Sequence, residues 1–127
     1  MYDNDNVFAK IARGEIPCEK IAENDYALSF HDVNPMFAIH ALVIPKGPYM
    51  NILDFTANAS AAEQAGFWRC FTQTAEKLGI AGNFNVLANA GAAAPFVPQS
   101  VFHFHLHLMS GARRPEFDKE MAAICHR

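Results

Sequence analysis

The heptapeptide His103-Phe104-His105-Leu106-His107-Leu108-Met109 constrains this chain more than any other stretch, and it holds half of the six histidines. Imidazole and apolar side chains alternate in it without a break. Period-two alternation marks a β-strand whose two faces meet different surroundings. It predicts Phe102, Phe104, Leu106 and Leu108 turned into a core, with Val101, His103, His105, His107 and Met109 turned outward on the other face. Alternate residues of a strand lie about 6.6 Å apart, so three imidazoles stand in a row. Two full charges about 7 Å apart, at an effective dielectric near 20, repel by roughly 2.4 kcal/mol, or about two pKa units. At least one ring is therefore neutral at pH 7, with a nitrogen lone pair beside a potential proton donor. That pairing suits attack on an electrophile with a poor leaving group. A shared metal ion is the other chemistry that such spacing allows.

The remainder of the sequence predicts a small α+β domain spanning residues 1–127. Asn6 to Arg13 is a capped helix with a Val7/Phe8/Ile11 face, stopped by Gly14. Lys20 to Glu23 and Tyr26 to His31 are paired strands about an Asn24-Asp25 turn. Ala38 to Pro45 is strongly apolar, with Ile39, Leu42, Val43 and Ile44, and belongs in the middle of a sheet. Ser60-x-x-Glu63 is a capping box and Gly79 a helix stop. Between them Ala61, Ala65, Trp68, Phe71, Ala75 and Leu78 form a stripe at helical spacing. Asn83 to Ala88 is a further strand, Ala90 to Pro98 an apolar loop, and Glu116 to Cys125 a candidate last helix.

Composition restricts function. A formal net charge of −3 disfavours nucleic acid as a partner, although small nucleotides need no basic excess. No apolar run is long enough for a membrane span, and the polar, acidic start does not read as a signal peptide. Cys18, Cys70 and Cys125 are widely spaced and odd in number, which favours free thiols and a cytoplasmic protein.

The heptapeptide matches the H-x-H-x-H-x-x pattern that names the histidine triad (HIT) superfamily of nucleotide hydrolases and transferases. VFAKIARGEIP, FHDVNP, HALVIPK and Gln99-Ser100-Val101 resemble its Hint branch in the same order. The resemblance implies an antiparallel five-stranded sheet with one long packing helix and short terminal helices, paired in a homodimer. It implies His105 as the nucleophile that becomes nucleotidylated, His107 on the phosphate, and His103 and His40 as orienting residues. It places Ser100, Gln99 and Asn89 about the phosphate and leaving group, and Asp32 on the ribose. Val7, Phe8, Ile11, Phe30, His31 and Val33 would wall the base pocket.

Blander readings stand beside these. Asp32 also suits a turn cap before Asn34-Pro35, and His40 alone reads as a satisfied histidine at a strand start. Some branches of the superfamily hold a structural zinc through two cysteines, a histidine after the VIPK-like strand, and the first triad histidine. Those positions here hold Asn6, Ala9, Pro48 and His103, so neither a metal nor any other cofactor is expected. The leading expectation is hydrolysis of a purine nucleoside 5′-phosphoramidate. Dinucleoside polyphosphates, with Arg113 and Arg114 as added cations, and a non-enzymatic nucleotide-binding dimer are the alternatives. Phe67 and Cys70, beside the helix stripe, suit either extra interface or core packing equally well.

Overall fold

The computed structural model describes residues 1–114 of the chain; the expected last helix, 116–125, lies outside the described residues. Short apolar segments punctuated by turn residues fold as strands β1 (Lys20–Glu23), β2 (Ala27–His31), β3 (Phe37–Pro45), β4 (Asn85–Leu87) and β5 (Leu106–Arg113). They form one antiparallel sheet in the order β1-β2-β3-β5-β4. The apolar strand β3 is central, as expected. With three helices against this sheet the class is α+β.

Helix α1 (Val7–Ala12) starts where the Asn6 side chain accepts the Ala9 N–H at 2.8 Å and ends before Gly14, whose φ of +79° suits only glycine well. Helix α3 (Ala61–Leu78) carries both halves of the Ser60/Glu63 capping box, and Gly79 closes it in the left-handed region. Between them lies a helix that the periodicity did not reveal, α2 (Ile52–Asn58), capped by Asn51 on the Asp54 N–H. Its seven residues are too few for a clear helical repeat.

The buried face of α3 is turned by about one residue, or roughly 100°, from the expected stripe. Phe67, Cys70, Thr74 and Ala75 are buried, whereas Ala61, Ala65 and Trp68 are exposed. Two contacts set this rotation. Gly66 lies against the Tyr26 ring so closely that a Cβ would come within 2.7 Å of it, and Thr74 donates to Ser29 of β2 at 2.6 Å. Phe67 and Cys70, for which the sequence suits interface and core packing equally, are fully buried core.

Each face of the sheet has its own apolar cluster. Under α2 and α3, Phe55, Phe67 and Phe104 pack with ring centroids 5.0 to 5.2 Å apart, over Ala41, Val43, Leu106 and Leu108. Under α1 lie Phe8, Leu28, Phe30, Leu42 and Ile44. The heptapeptide departs from its expected form in three ways. Regular β5 begins only at Leu106, so His103 to His105 precede the ladder. Phe102, expected in the core, is exposed. His103 and His105 do face away from the aromatic core, but they are 0% and 5% exposed rather than outward on a wet surface. An N–H···O bond of 2.7 Å from Phe104 to the Tyr49 carbonyl holds the irregular stretch in place of a strand partner.

Candidate active site

The histidines sit at the floor of a cleft of ≈ 930 Å³ between α1, the β1–β2 side of the sheet and the segment before β5. Val7, Phe8, Ile11, Phe30, His31, Asp32 and Val33 line it, together with Ser100, His105 and His107. His40 and His103 lie behind this lining and touch it through hydrogen bonds. Ile16, Pro17, Cys18, Glu19 and Leu42 also contribute walls that no sequence pattern marks, whereas Val101 joins them from the face on which the alternation set the histidines. The five come from an extended linker and from β3, where nothing but folding reveals a pocket.

Asn89 and Gln99 are not among the lining residues. Gln99 is buried, and its amide is fully engaged. Its oxygen accepts the Gly91 N–H at 2.9 Å, while its NH₂ donates to the carbonyls of Met50 at 2.6 Å and Val101 at 3.0 Å. It braces the 90–98 loop against the segment that leads to the histidines, a role different from the expected phosphate contact.

Hydrogen bonds decide which nitrogen of each ring carries the proton. A carbonyl only accepts, so the 2.8 Å contact from His105 Nδ1 to the His103 carbonyl puts the proton on Nδ1 and leaves the lone pair on Nε2. The Met36 N–H donates to His40 Nδ1 at 3.0 Å, which puts the His40 proton on Nε2. That proton points at His107 Nδ1, 2.9 Å away, so His107 carries its own proton on Nε2. Asp32 Oδ2 lies 3.4 Å from the same His40 nitrogen, and its Oδ1 accepts the Asn34 N–H. One acid thus faces the cleft and also caps the turn after β2. Cleft and turn roles are both served.

Burial keeps these rings neutral. Desolvation lowers the His103 pKa to about 4 and the His107 pKa to about 3, with neighbouring imidazoles adding to the effect. His105 is lowered by the same cause, against opposition from its bond to the His103 carbonyl and from Asp32. His40 is lowered by burial too, with Asp32 pulling the other way. Phe8 packs edge-on against the His105 ring, centroids 4.9 Å apart, and excludes water from it.

Asp32, His40 and His107 bring three potential metal-ligating atoms within 4.8 Å of one another. The donor set does not suit a cation. A neutral imidazole binding metal through Nε2 needs its proton on Nδ1, where His40 instead meets the Met36 N–H. The zinc positions of other branches are likewise occupied otherwise: Asn6 caps α1, and both ring nitrogens of His103 are within hydrogen-bond distance of protein partners.

A buried row of neutral, tautomer-fixed imidazoles stands beside an apolar cleft and one carboxylate, an arrangement that fits a histidine triad protein. The HIT domain model matches residues 13–114, and the chain belongs to the HIT family. It is 47% identical over 113 residues to a 13.2 kDa HIT-like protein of Azospirillum brasilense, a match spanning 88% of this chain and 90% of that one. It is 38% identical over 111 residues to the adenylylsulfatase HINT3 of Arabidopsis thaliana, across 87% of this chain and 54% of that one. A HIT family hydrolase from Clostridium thermocellum superposes with a TM-score of 0.75 at 33% identity, covering 87% of this chain and 93% of its own.

Proposed function

We propose that this protein is a nucleotidyl hydrolase that cleaves purine nucleoside 5′-phosphoramidates through a nucleotidyl-histidine on His105. The observation that carries the reading is the His105 Nδ1–H bond to the His103 carbonyl, which leaves the Nε2 lone pair on a ring that lines the cleft. The base packs against Phe8 and Ile11, and the ribose hydroxyls donate to Asp32.

The substrate nitrogen takes a proton from solvent at the open cleft, and His105 Nε2 attacks the α-phosphorus; the new P–N bond forms as the P–N bond to the protonated nitrogen breaks, and the neutral amine leaves. His105 is then a substituted imidazolium, and its Nδ1–H strengthens its bond to the His103 carbonyl as charge develops. His107, with its proton on Nε2, donates to a phosphate oxygen, and Ser100 adds a hydroxyl at the cleft wall. Water then attacks phosphorus and gives its proton back to solvent, the P–N bond to His105 breaks, the nucleoside monophosphate is released and the neutral imidazole is restored. The same two steps serve adenylyl sulfate with sulfate as leaving group, the substrate that the name of the Arabidopsis relative indicates. The reading includes a homodimer acting in the cytoplasm.

Single turnover of adenosine 5′-phosphoramidate, followed by protein mass under non-acidic conditions, tests it. A transient gain of one adenylyl group in the native protein, absent from His105→Ala, is the expected result. Adenosine monophosphate binding without adduct or product overturns it in favour of a binding protein.

A further inference from the structure

We propose that Tyr2 is a positioning residue that fixes the His103 ring, and through the His103 carbonyl the orientation of the nucleophile. Tyr2 Oη lies 2.5 Å from His103 Nδ1, a contact between residues 101 apart in the chain. The other ring nitrogen, Nε2, lies 2.8 Å from the Pro45 carbonyl and so carries the proton. His103 Nδ1 is therefore a lone pair, and the Tyr2 hydroxyl is its donor. The His103 ring is completely buried, so no water replaces that donor when it is lost.

The strap that brings Tyr2 there is itself tied down. Asn6, which caps α1, donates from both its backbone and its side chain to the Asp3 carbonyl, and Asp3 Oδ1 accepts the Asp5 N–H. Arg13, beyond the end of α1, donates to the Asn4 carbonyl at 2.9 Å. The Tyr2 ring also packs against His103, with centroids 5.8 Å apart and a 58° tilt.

The consequence passes along the backbone. The carbonyl of His103 is the group that accepts the His105 Nδ1–H. Without the phenol, the buried Nδ1 lone pair of His103 has no donor, while the Pro45 carbonyl still holds the proton on Nε2. The ring is then fixed at one nitrogen instead of two, and the segment whose carbonyl orients His105 is free to shift. The cleft lining does not include Tyr2, so substrate binding should be spared while the chemical step is slowed.

This inference rests on the proposed role of His105, and its test separates the two. Nitrogen NMR of the histidine-labelled native protein reads the tautomer without reference to activity. A bare Nδ1 and a protonated Nε2 on His103 are expected, and a protonated Nδ1 in the native protein overturns the proposal. Tyr2→Phe keeps the ring and removes the hydroxyl. It should move the His103 Nδ1 signal to that of a lone pair without a donor, leave Nε2 protonated, and slow single-turnover adduct formation by about tenfold, the scale of one buried hydrogen bond, with KM within about twofold. A merely structural role would lower melting temperature while leaving the His103 nitrogen signals and the rate of the folded fraction unchanged, and that result also overturns it. An absent adduct in the native protein would instead refute the role of His105, whatever the His103 spectrum.

Discussion

Phe104 and His105 are adjacent, both buried, and enter opposite faces of one sheet. On the Phe104 side burial removes apolar rings from water and is favourable in itself. On the His105 side burial desolvates four imidazoles, each of which answers with a lowered pKa. The same exclusion of water stabilises one face and makes the other chemically reactive. The imidazole face is tolerable because every one of the four rings has a nitrogen bonded within the protein, with Nε2 of His105 and of His107 left to the cleft, and no buried side-chain nitrogen or oxygen among the described residues lacks a partner.

The sharpest test of that contrast alters the two neighbours in turn. His105→Ala should lower kcat/KM by on the order of 10⁴-fold or more, over about 5 kcal/mol of transition-state stabilisation, with a small change in urea midpoint. Phe104→Ala should do the reverse, costing roughly 3–5 kcal/mol of stability through the cavity it leaves. Equal stability losses would erase the distinction between the faces.

Acid should unfold the protein through the histidine side. A base whose folded pKa lies below its unfolded value contributes stability above the unfolded pKa, and this is lost as pH falls. For His103, with 6.5 as the ordinary value and about 4 in the fold, the loss approaches roughly 3 kcal/mol across that window. Glu23 and Glu63, both held below the usual carboxylate range, add loss only beneath about pH 4.5. Urea midpoints that stay flat from pH 7 to 4.5 would show the imidazoles to be solvated. By the same sign, the acid limb of kcat/KM should fall below pH 6.5, because the His105 pKa is lowered.

Asp32→Asn keeps an oxygen for the Asn34 N–H but removes the charge. It should cost about 1–2 kcal/mol in kcat/KM, mainly through KM, as expected for a hydrogen bond to a charged group; an unchanged KM would separate Asp32 from the ribose. The smallest effect is expected from Ser60→Ala, about 1 kcal/mol in the melting transition and none in turnover, since that cap serves only the aromatic side.

Local signals were legible in the sequence where local chemistry decides the outcome. Asn6, the Ser60/Glu63 pair and Gly79 end helices through bonds to their own neighbours, and all appear where expected. The alternation of the heptapeptide correctly assigned Phe104 and His105 to different faces. What it could not convey was depth. Whether an imidazole face is wet depends on α1 and Tyr2, about a hundred residues earlier in the chain. The rotation of α3 was hidden for a similar reason, because the Gly66–Tyr26 contact and the Thr74–Ser29 bond are tertiary. Gln99 and Ser100 are neighbours in the family-like fragment, but only the fold separates a loop brace from a cleft residue.

Strand β5 is the last of the five in sequence, yet it lies between β3 and β4. On a growing chain β1, β2 and β3 pair by short-range closure, while β3 keeps a bare edge and β4 has nothing to bond to. Long-range pairing is the slow kind, and an unpaired apolar edge invites association with other chains. The inserted strand ends that exposure on both sides at once, and the residues leading into it are His103 and His105. A truncated or half-folded chain is therefore sticky but inert, and reactive chemistry comes into existence only as the sheet is sealed.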